Sequence, residues 1–175
     1  MAQLPTLFLS MALGVSALYG QAPADLPVFD QFHVDPVFKG RPAPPMLQTP
    51  DQRMFRTMIR ESAAKGPNFA GHYTIAEWGC GAGCVSMAII DAVDGKIYRS
   101  PFKVLAWSLL KYEGRHPSNG DDFQELEFKK DSRLLIARGC PEEKNCGSYF
   151  YEWTAEGAAP QFKLIRKVPA SALPQ

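Results

Sequence analysis

Residues 71–98 read GHYTIAEWGCGAGCVSMAIIDAVDGKIY, and this stretch decides the fold. Two runs rich in β-branched and aromatic residues, TIAEW and VSMAII, flank the loop GCGAGC, which is typical of antiparallel strands joined by a short turn. Cys80 and Cys84 would then face each other across the strand pair, at a separation that a disulfide can bridge. We therefore predict a hairpin with a disulfide at its tip, in which the glycines adopt positive φ.

The loop has three other interpretations, and each fits less well. The spacings, Cys-x3-Cys at residues 80–84 and Cys-x5-Cys at residues 140–146, differ from the short knuckles of structural zinc sites. A redox pair is typically Cys-x-x-Cys at the start of a helix, whereas the second cysteine here leads into a strand. The glycines do not form a phosphate-binding Gly-x-Gly-x-x-Gly loop. We expect the disulfides Cys80–Cys84 and Cys140–Cys146, no metal and no cofactor.

The same order of features recurs in the second half of the chain. LLIARGC, a short loop and CGSYFYEW repeat the order strand, Gly-Cys, loop, Cys, strand, and an acidic-Gly turn with a further strand follows each unit. Identities between the halves are few, so duplication and convergent hairpin chemistry both stay open. We predict an α+β fold, an antiparallel meander of disulfide-tipped hairpins with one N-terminal capped helix packed on it.

The predicted helix covers residues 49–65. Thr49 is suited to cap it, Pro50 occupies its first turn, Gln52 completes a capping box, and a Gly-Pro pair ends it. Its apolar residues share one face, which is typical of a helix packed on a core; an arginine-rich face for a partner is the alternative. Residues 102–112, FKVLAWSLLKY, are ambiguous, but the apolar spacing favours a short helix.

The N-terminus predicts export. Residues 1–20 carry no charged side chain and include an apolar run too short to span a bilayer, which is typical of a cleaved signal peptide; an uncleaved anchor is the alternative. Residues 21–48 form a proline-rich, extended lead-in whose aromatic residues indicate packing on the domain. Residues 49–175 form a single α+β domain.

We expect a periplasmic or secreted bacterial protein, with no membrane span in the mature chain. Its net charge of +1 does not indicate the basic surface that is typical of nucleic-acid-binding proteins.

Two residues near the first hairpin are candidates for catalysis. With Cys80 opposite Cys84, Glu77 falls beside Met87 on an apolar face, where a carboxylate must be paired, hydrogen-bonded or raised in pKa. His72 falls on the opposite face of the same predicted strand. The ordinary interpretations are an ion pair or water contact for Glu77 and a structural hydrogen bond for His72.

Aromatic residues are the candidates for binding. Tyr149, Tyr151 and Trp153 share one face of a predicted strand, and Arg133 lies opposite Trp153. Trp78 directly precedes the first disulfide. Core packing is the default for such an aromatic stripe, and a platform for a carbohydrate or a peptide is the alternative.

Residues 68–98, NFAGHYTIAEWGCGAGCVSMAIIDAVDGKIY, resemble a segment of small bacterial exported proteins of unknown function. The resemblance implies an envelope or secreted setting and carries no activity. The favoured function is a non-catalytic binding or inhibitor-like module that presents its cross-linked tips and the loop at residues 113–122 to another envelope protein or a glycan. The alternative is a small exported hydrolase that uses Glu77 and His72, and a third hypothesis is a structural accessory domain.

Overall fold

The computed structural model describes residues 26–110, 123–155 and 159–170. The predicted signal peptide at residues 1–20 and the loop at residues 113–122 lie outside these ranges. In chain order the elements are a 3₁₀ helix (Phe29–Phe32), α1 (Pro50–Met54), α2 (Arg56–Ala64), β1 (Tyr73–Gly79), β2 (Cys84–Asp91), β3 (Ile97–Tyr98), β4 (Leu105–Ala106), β5 (Leu126–Phe128), β6 (Leu134–Pro141), β7 (Gly147–Thr154) and β8 (Gln161–Pro169).

The eight strands within the described ranges form one antiparallel sheet. Its main order is β1-β2-β4-β6-β7-β8, with β3 beside β2 and β5 beside β6. In the first hairpin Glu77 lies opposite Met87 and Gly79 lies opposite Val85, which is the predicted register. The predicted α+β fold, with a helix packed on an antiparallel hairpin sheet, is confirmed.

Both hairpins carry a disulfide at the turn, as predicted. Cys80–Cys84 closes the turn between β1 and β2, and Cys140–Cys146 closes the turn between β6 and β7. In the first turn Gly81 and Gly83 have φ of 136° and 78°. Residues with a Cβ rarely adopt these values, so glycine is required at both positions.

Strand β4 joins the two disulfide hairpins, in place of the short helix predicted for FKVLAWSLLKY. Ala106 lies opposite Cys84 of β2 and opposite Cys140 of β6. Leu105 is buried against Gly139, where an added Cβ would lie 2.7 Å from Leu105 Cγ. The helix prediction was wrong for the described part of this segment. The backbone groups of Leu105 and Ala106 pair with β2 on one side and with β6 on the other. The spacing of apolar residues within the segment does not reveal partners that are distant in sequence.

The predicted capped helix forms as two consecutive helices, α1 and α2, which are separated at Phe55. Thr49 and Gln52 make the predicted capping box. The first helix ends at Phe55, whose φ of −96° and ψ of 21° leave the helical range. The second helix packs Ile59 and Ala63 on the outer face of β1 and β2. One helix was predicted and two short ones are found, because Phe55 makes a tertiary contact, described below, that periodicity does not report.

The sheet curves, so that the inner faces of both hairpins enclose one core. Trp153 of β7 packs edge-on against Tyr73 of β1, with ring centroids 5.0 Å apart, although other strands separate the two in the sheet. Helix α2 covers the outer face of the first hairpin. Phe29 and Phe32 of the lead-in cover the outer face of the second hairpin. An opening remains beside α1, over the outer face of β2.

Candidate ligand-binding cleft

A cleft of about 660 Å³ lies over the outer face of β2. Phe55 and Ile59 form one wall, and Ser86 and Ala88 form the floor. Strand β3 and the connection that follows it, residues 97–103, form the other wall. Its volume falls within the range of roughly 300–1,000 Å³ that is usual for small-ligand pockets. We call it the Trp78 cleft, after the aromatic residue that also lines it.

Trp78 reaches the cleft because alternate residues of β1 face outwards. It lies opposite Ser86 of β2, and its ring stacks on Phe55 with centroids 4.7 Å apart and planes inclined by 23°. Its Nε1 is buried, and no residue in the described ranges accepts its hydrogen. The Nε1 of Trp153 in the main core is unpaired in the same way, so what distinguishes Trp78 is its place in the lining of the cleft.

Charged side chains of both signs stand along the cleft: Asp51, Arg99, Lys103 and Glu142. None of them forms a salt bridge with any residue that the structure describes. At neutral pH the two carboxylates and the two cations sum to zero. The lining therefore offers charged hydrogen-bond partners of both kinds without favouring a strongly anionic or cationic ligand.

Glu142 connects the second disulfide loop to the cleft wall. Its Oε1 accepts the backbone N–H of Lys103 at 2.7 Å, and its own N–H donates to the carbonyl of Val104 at 3.0 Å. Glu142 and Glu143 have φ of 50° and 61°, in the left-handed region that is uncommon for residues with a Cβ. The Cys140–Cys146 disulfide closes the loop that contains them. The cleft wall at Lys103 is therefore hydrogen-bonded to a cross-linked loop.

The two candidates for catalysis lie at different places along the first hairpin. His72 precedes β1, in a turn and not on the strand as predicted, and its Nε2 lies 3.7 Å from Asp91 Oδ2. Glu77 lies four residues after Tyr73, about 13 Å further along the strand. Glu77 is exposed, yet neighbouring protein atoms partly desolvate its carboxylate. This desolvation, and next the negative charge of Glu125, raise the pKa of Glu77. The structure does not bring the two candidates together.

Three of the four aromatic candidates are buried in the core: Tyr149, Tyr151 and Trp153. Trp153 is 2% exposed, and its backbone N–H donates to the carbonyl of Arg133 at 2.8 Å, in the predicted register. The guanidinium of Arg133 pairs with Glu152 at 2.9 Å. Core packing, the default interpretation, therefore describes these three residues, and they form no exposed platform. Trp78 is the candidate that lines the cleft.

Sequence reasoning missed most of this cleft. Phe55 has the pattern of a core-facing helix residue, and Arg99, Lys103 and Glu142 have that of solvated surface. Their convergence comes from separate elements, so no local motif marks it. One signal was present, a tryptophan on the outer face directly before a cross-linked turn.

No family model, curated protein or solved structure matches this chain. The resemblance to small bacterial exported proteins therefore stays a prediction. Within the described residues, no cluster of three or more His, Cys, Asp and Glu side chains is placed to hold a metal ion. None of the described helices is long and apolar enough to cross a membrane. The two disulfides indicate an oxidising, extracytoplasmic environment.

Proposed function

We propose that this chain is a non-catalytic binding protein of the bacterial envelope that holds its ligand in the Trp78 cleft. The observation that carries the proposal is the Trp78–Phe55 stack in a cleft of ligand-sized volume. The cleft is also lined by charged side chains of both signs that form no salt bridge with any described residue. Large, rigid aromatic side chains contribute strongly to binding and lose little entropy on association. The uncharged N-terminal segment and the two disulfides support the envelope setting.

The cleft is supported in a way that suits binding. The floor belongs to a central strand, and one wall is tied through Glu142 to a disulfide loop. A site that is already ordered before binding avoids much of the entropy cost of closing around a ligand. The alternative function, a small hydrolase using Glu77 and His72, gains no support from geometry, because a shared reaction needs both groups within reach of one atom.

The test is affinity capture from bacterial envelope extract with immobilised mature protein. We compare wild type with Trp78→Ala, and with Val93→Ala as the matched control. Val93 is an exposed apolar residue in the turn after β2 and does not line the cleft. We expect the same bound species with wild type and Val93→Ala, and at least a tenfold loss with Trp78→Ala, provided that circular dichroism shows the variant to be folded.

Equal capture by wild type and folded Trp78→Ala would contradict the assignment of the cleft. Turnover of a captured ligand that is lost in both Glu77→Gln and His72→Ala would instead support the hydrolase.

A further inference from the structure

The Trp78 cleft lies over a gap in the hydrogen-bond ladder of β2. On the side of β2 that faces away from β1, β4 pairs with Cys84 and Val85. Further along the same side, β3 pairs with Ile89 and Ile90. Between these two partners, residues 86–88 pair with no strand in the described ranges. The connection from β3 to β4 forms the opposite wall of the cleft. It contacts the gap at one end, where Ser86 Oγ donates to the carbonyl of Lys103 at 2.9 Å, and it makes no such bond to Met87 or Ala88 within the described residues.

The backbone of Met87 points into this gap. On β1, the N–H and C=O of Ile75 point away from β2, because both bond to the side chain of Asn68. Backbone groups alternate in direction along an antiparallel pair, so the residue opposite Ile75, which is Ile89, points towards β3. Met87 is two residues from Ile89 and points the same way. No residue that the structure describes bonds to its N–H or C=O.

Met87 lines the cleft, although its side chain lies on the other face of β2 from Ser86 and Ala88. It packs in the main core on the inner face of the sheet, whereas the cleft lies on the outer side with Ser86 and Ala88. We infer that Met87 contributes its main chain. The cleft thus combines one free N–H and C=O pair with an aromatic pocket, because Trp78 lies opposite Ser86, the neighbour of Met87.

We propose that the ligand of the Trp78 cleft is an extended peptide segment, which adds one short strand in the gap between β3 and β4. One residue of an antiparallel strand supplies both a donor and an acceptor to the residue opposite it, which matches the free pair on Met87. Its neighbour points a side chain out of the sheet plane, towards Trp78 and Phe55. Pairing by strand addition, with alternate side chains in pockets, is an established mode of peptide recognition.

The charged lining agrees with this chemistry. Asp51 and Glu142 can accept from peptide N–H groups or basic side chains, and Arg99 and Lys103 can donate to carbonyl or acidic groups. This inference rests on the proposed function, since it names the ligand class of the same cleft. The competing ligand, a glycan, would use the aromatic surface without requiring the ladder position of Met87.

The first experiment is amide hydrogen exchange on the free, full-length mature protein by NMR. Val85 and Ile89 are matched controls, because they lie on the same edge of β2 and pair with β4 and β3. We expect the Met87 amide to exchange at least tenfold faster than both. Equal protection of the three amides would mean that the gap is closed, and would overturn the proposal.

The second experiment titrates a library of capped hexapeptides that carries every natural residue at one anchor position, with chito-oligosaccharides in a parallel series. We expect peptides with an apolar anchor to bind at millimolar concentration or below and to slow Met87 exchange at least tenfold. N-methylation of the peptide amide that pairs with Met87 should weaken binding about tenfold or more, which is the loss expected for one hydrogen bond. This ligand control needs no protein variant.

The outcomes separate the two proposals. Oligosaccharide binding that Trp78→Ala abolishes, without peptide binding, would overturn the peptide inference and leave the proposed function intact. Peptide binding that leaves Met87 exchange unchanged would overturn strand addition. Failure of every peptide to bind would also overturn the peptide inference, and capture from extract that is insensitive to Trp78→Ala would overturn the proposed function itself.

Discussion

Replacement of Asn68 by alanine should measurably loosen the outer edge of the sheet. Strand β1 has β2 on one side, and on its other side the Asn68 side chain takes the place of a strand partner. Asn68 Oδ1 accepts the N–H of Ile75 at 2.7 Å, and its Nδ2 donates to the carbonyl of Ile75 at 3.0 Å. Alanine removes both bonds and leaves two partly buried backbone groups without their partner.

The expected loss follows from the number of bonds. A hydrogen bond contributes about 1 kcal/mol net to stability, and a buried group left unpaired raises the cost of losing it. Two bonds to the backbone of the same residue therefore correspond to about 2 kcal/mol of the free energy of unfolding. For a domain of this size, that lowers the melting temperature by roughly 4–8 °C.

The assay is urea unfolding followed by circular dichroism, with Thr74→Val as the matched comparison. Thr74 makes one side-chain bond on the neighbouring position of β1, from Oγ1 to the carbonyl of Gly66 at 3.0 Å. Valine keeps its shape, so this change should cost about 1 kcal/mol. The reasoning fails if Asn68→Ala costs less than about 0.5 kcal/mol, or less than Thr74→Val, since either result would mean that water replaces Asn68 without loss.

Three further predictions concern cross-linking and ionisation. Replacing both Cys140 and Cys146 by alanine should lower the free energy of unfolding in urea by about 2 kcal/mol, the value for a short closed loop, and an unchanged midpoint would contradict this. Glu77→Gln should stabilise the protein at pH 7 by roughly 0.2–1 kcal/mol, because crowding and Glu125 disfavour the carboxylate. In a pH series of thermal unfolding this gain should vanish below pH 4.5, the ordinary pKa of glutamate, where both states are protonated; a constant gain would refute it. Burial raises the pKa of Tyr73 from 10.0 to about 12, so wild-type stability should fall as pH rises through this window, and Tyr73→Phe should lose less over it in the same assay.

The first hairpin was predictable because its signals are local and agree with one another. Runs rich in β-branched and aromatic residues predict strands on both sides of the loop, and the cysteine pair then sets which residues face each other. Glu77 opposite Met87 follows from that register alone. The same reasoning predicted the second disulfide turn. Capping chemistry likewise placed the start of α1 at Pro50, because its signals lie within four residues of one another.

Elements whose partners are distant in sequence were not predictable in this way. Leu105 and Ala106 have apolar spacing that suits a helix, yet they form a strand because β2 and β6 offer backbone partners on both sides. Phe55 interrupts an otherwise continuous helical pattern at the residue that stacks on Trp78. In both cases tertiary contacts outweigh local preference.

The sequence predicted one residue of the candidate cleft, and the others were found only in the tertiary structure. Sequence reasoning identified Trp78 as a residue held beside a cross-linked turn, and it also proposed three aromatic residues of β7 that the curved sheet buries in the core. No pattern in the chain predicts that Phe55, the β3–β4 connection and Glu142 meet around Trp78. Their meeting depends on how far β3 and β4 extend along β2. The same limits leave the backbone of Met87 without a partner among the residues that the structure describes.

The sequence by itself determined the hairpins, their register, both disulfide pairings and the capped start of the helix. Each depends on strand-forming residue types, turn chemistry or capping, which act between residues that are near in the chain or directly opposite across a short turn. Only the tertiary structure decided the break at Phe55, the bridging strand β4 and the cleft. Those features arise where distant elements compete for the same backbone partners and the same buried surface, and no short stretch of sequence contains that competition.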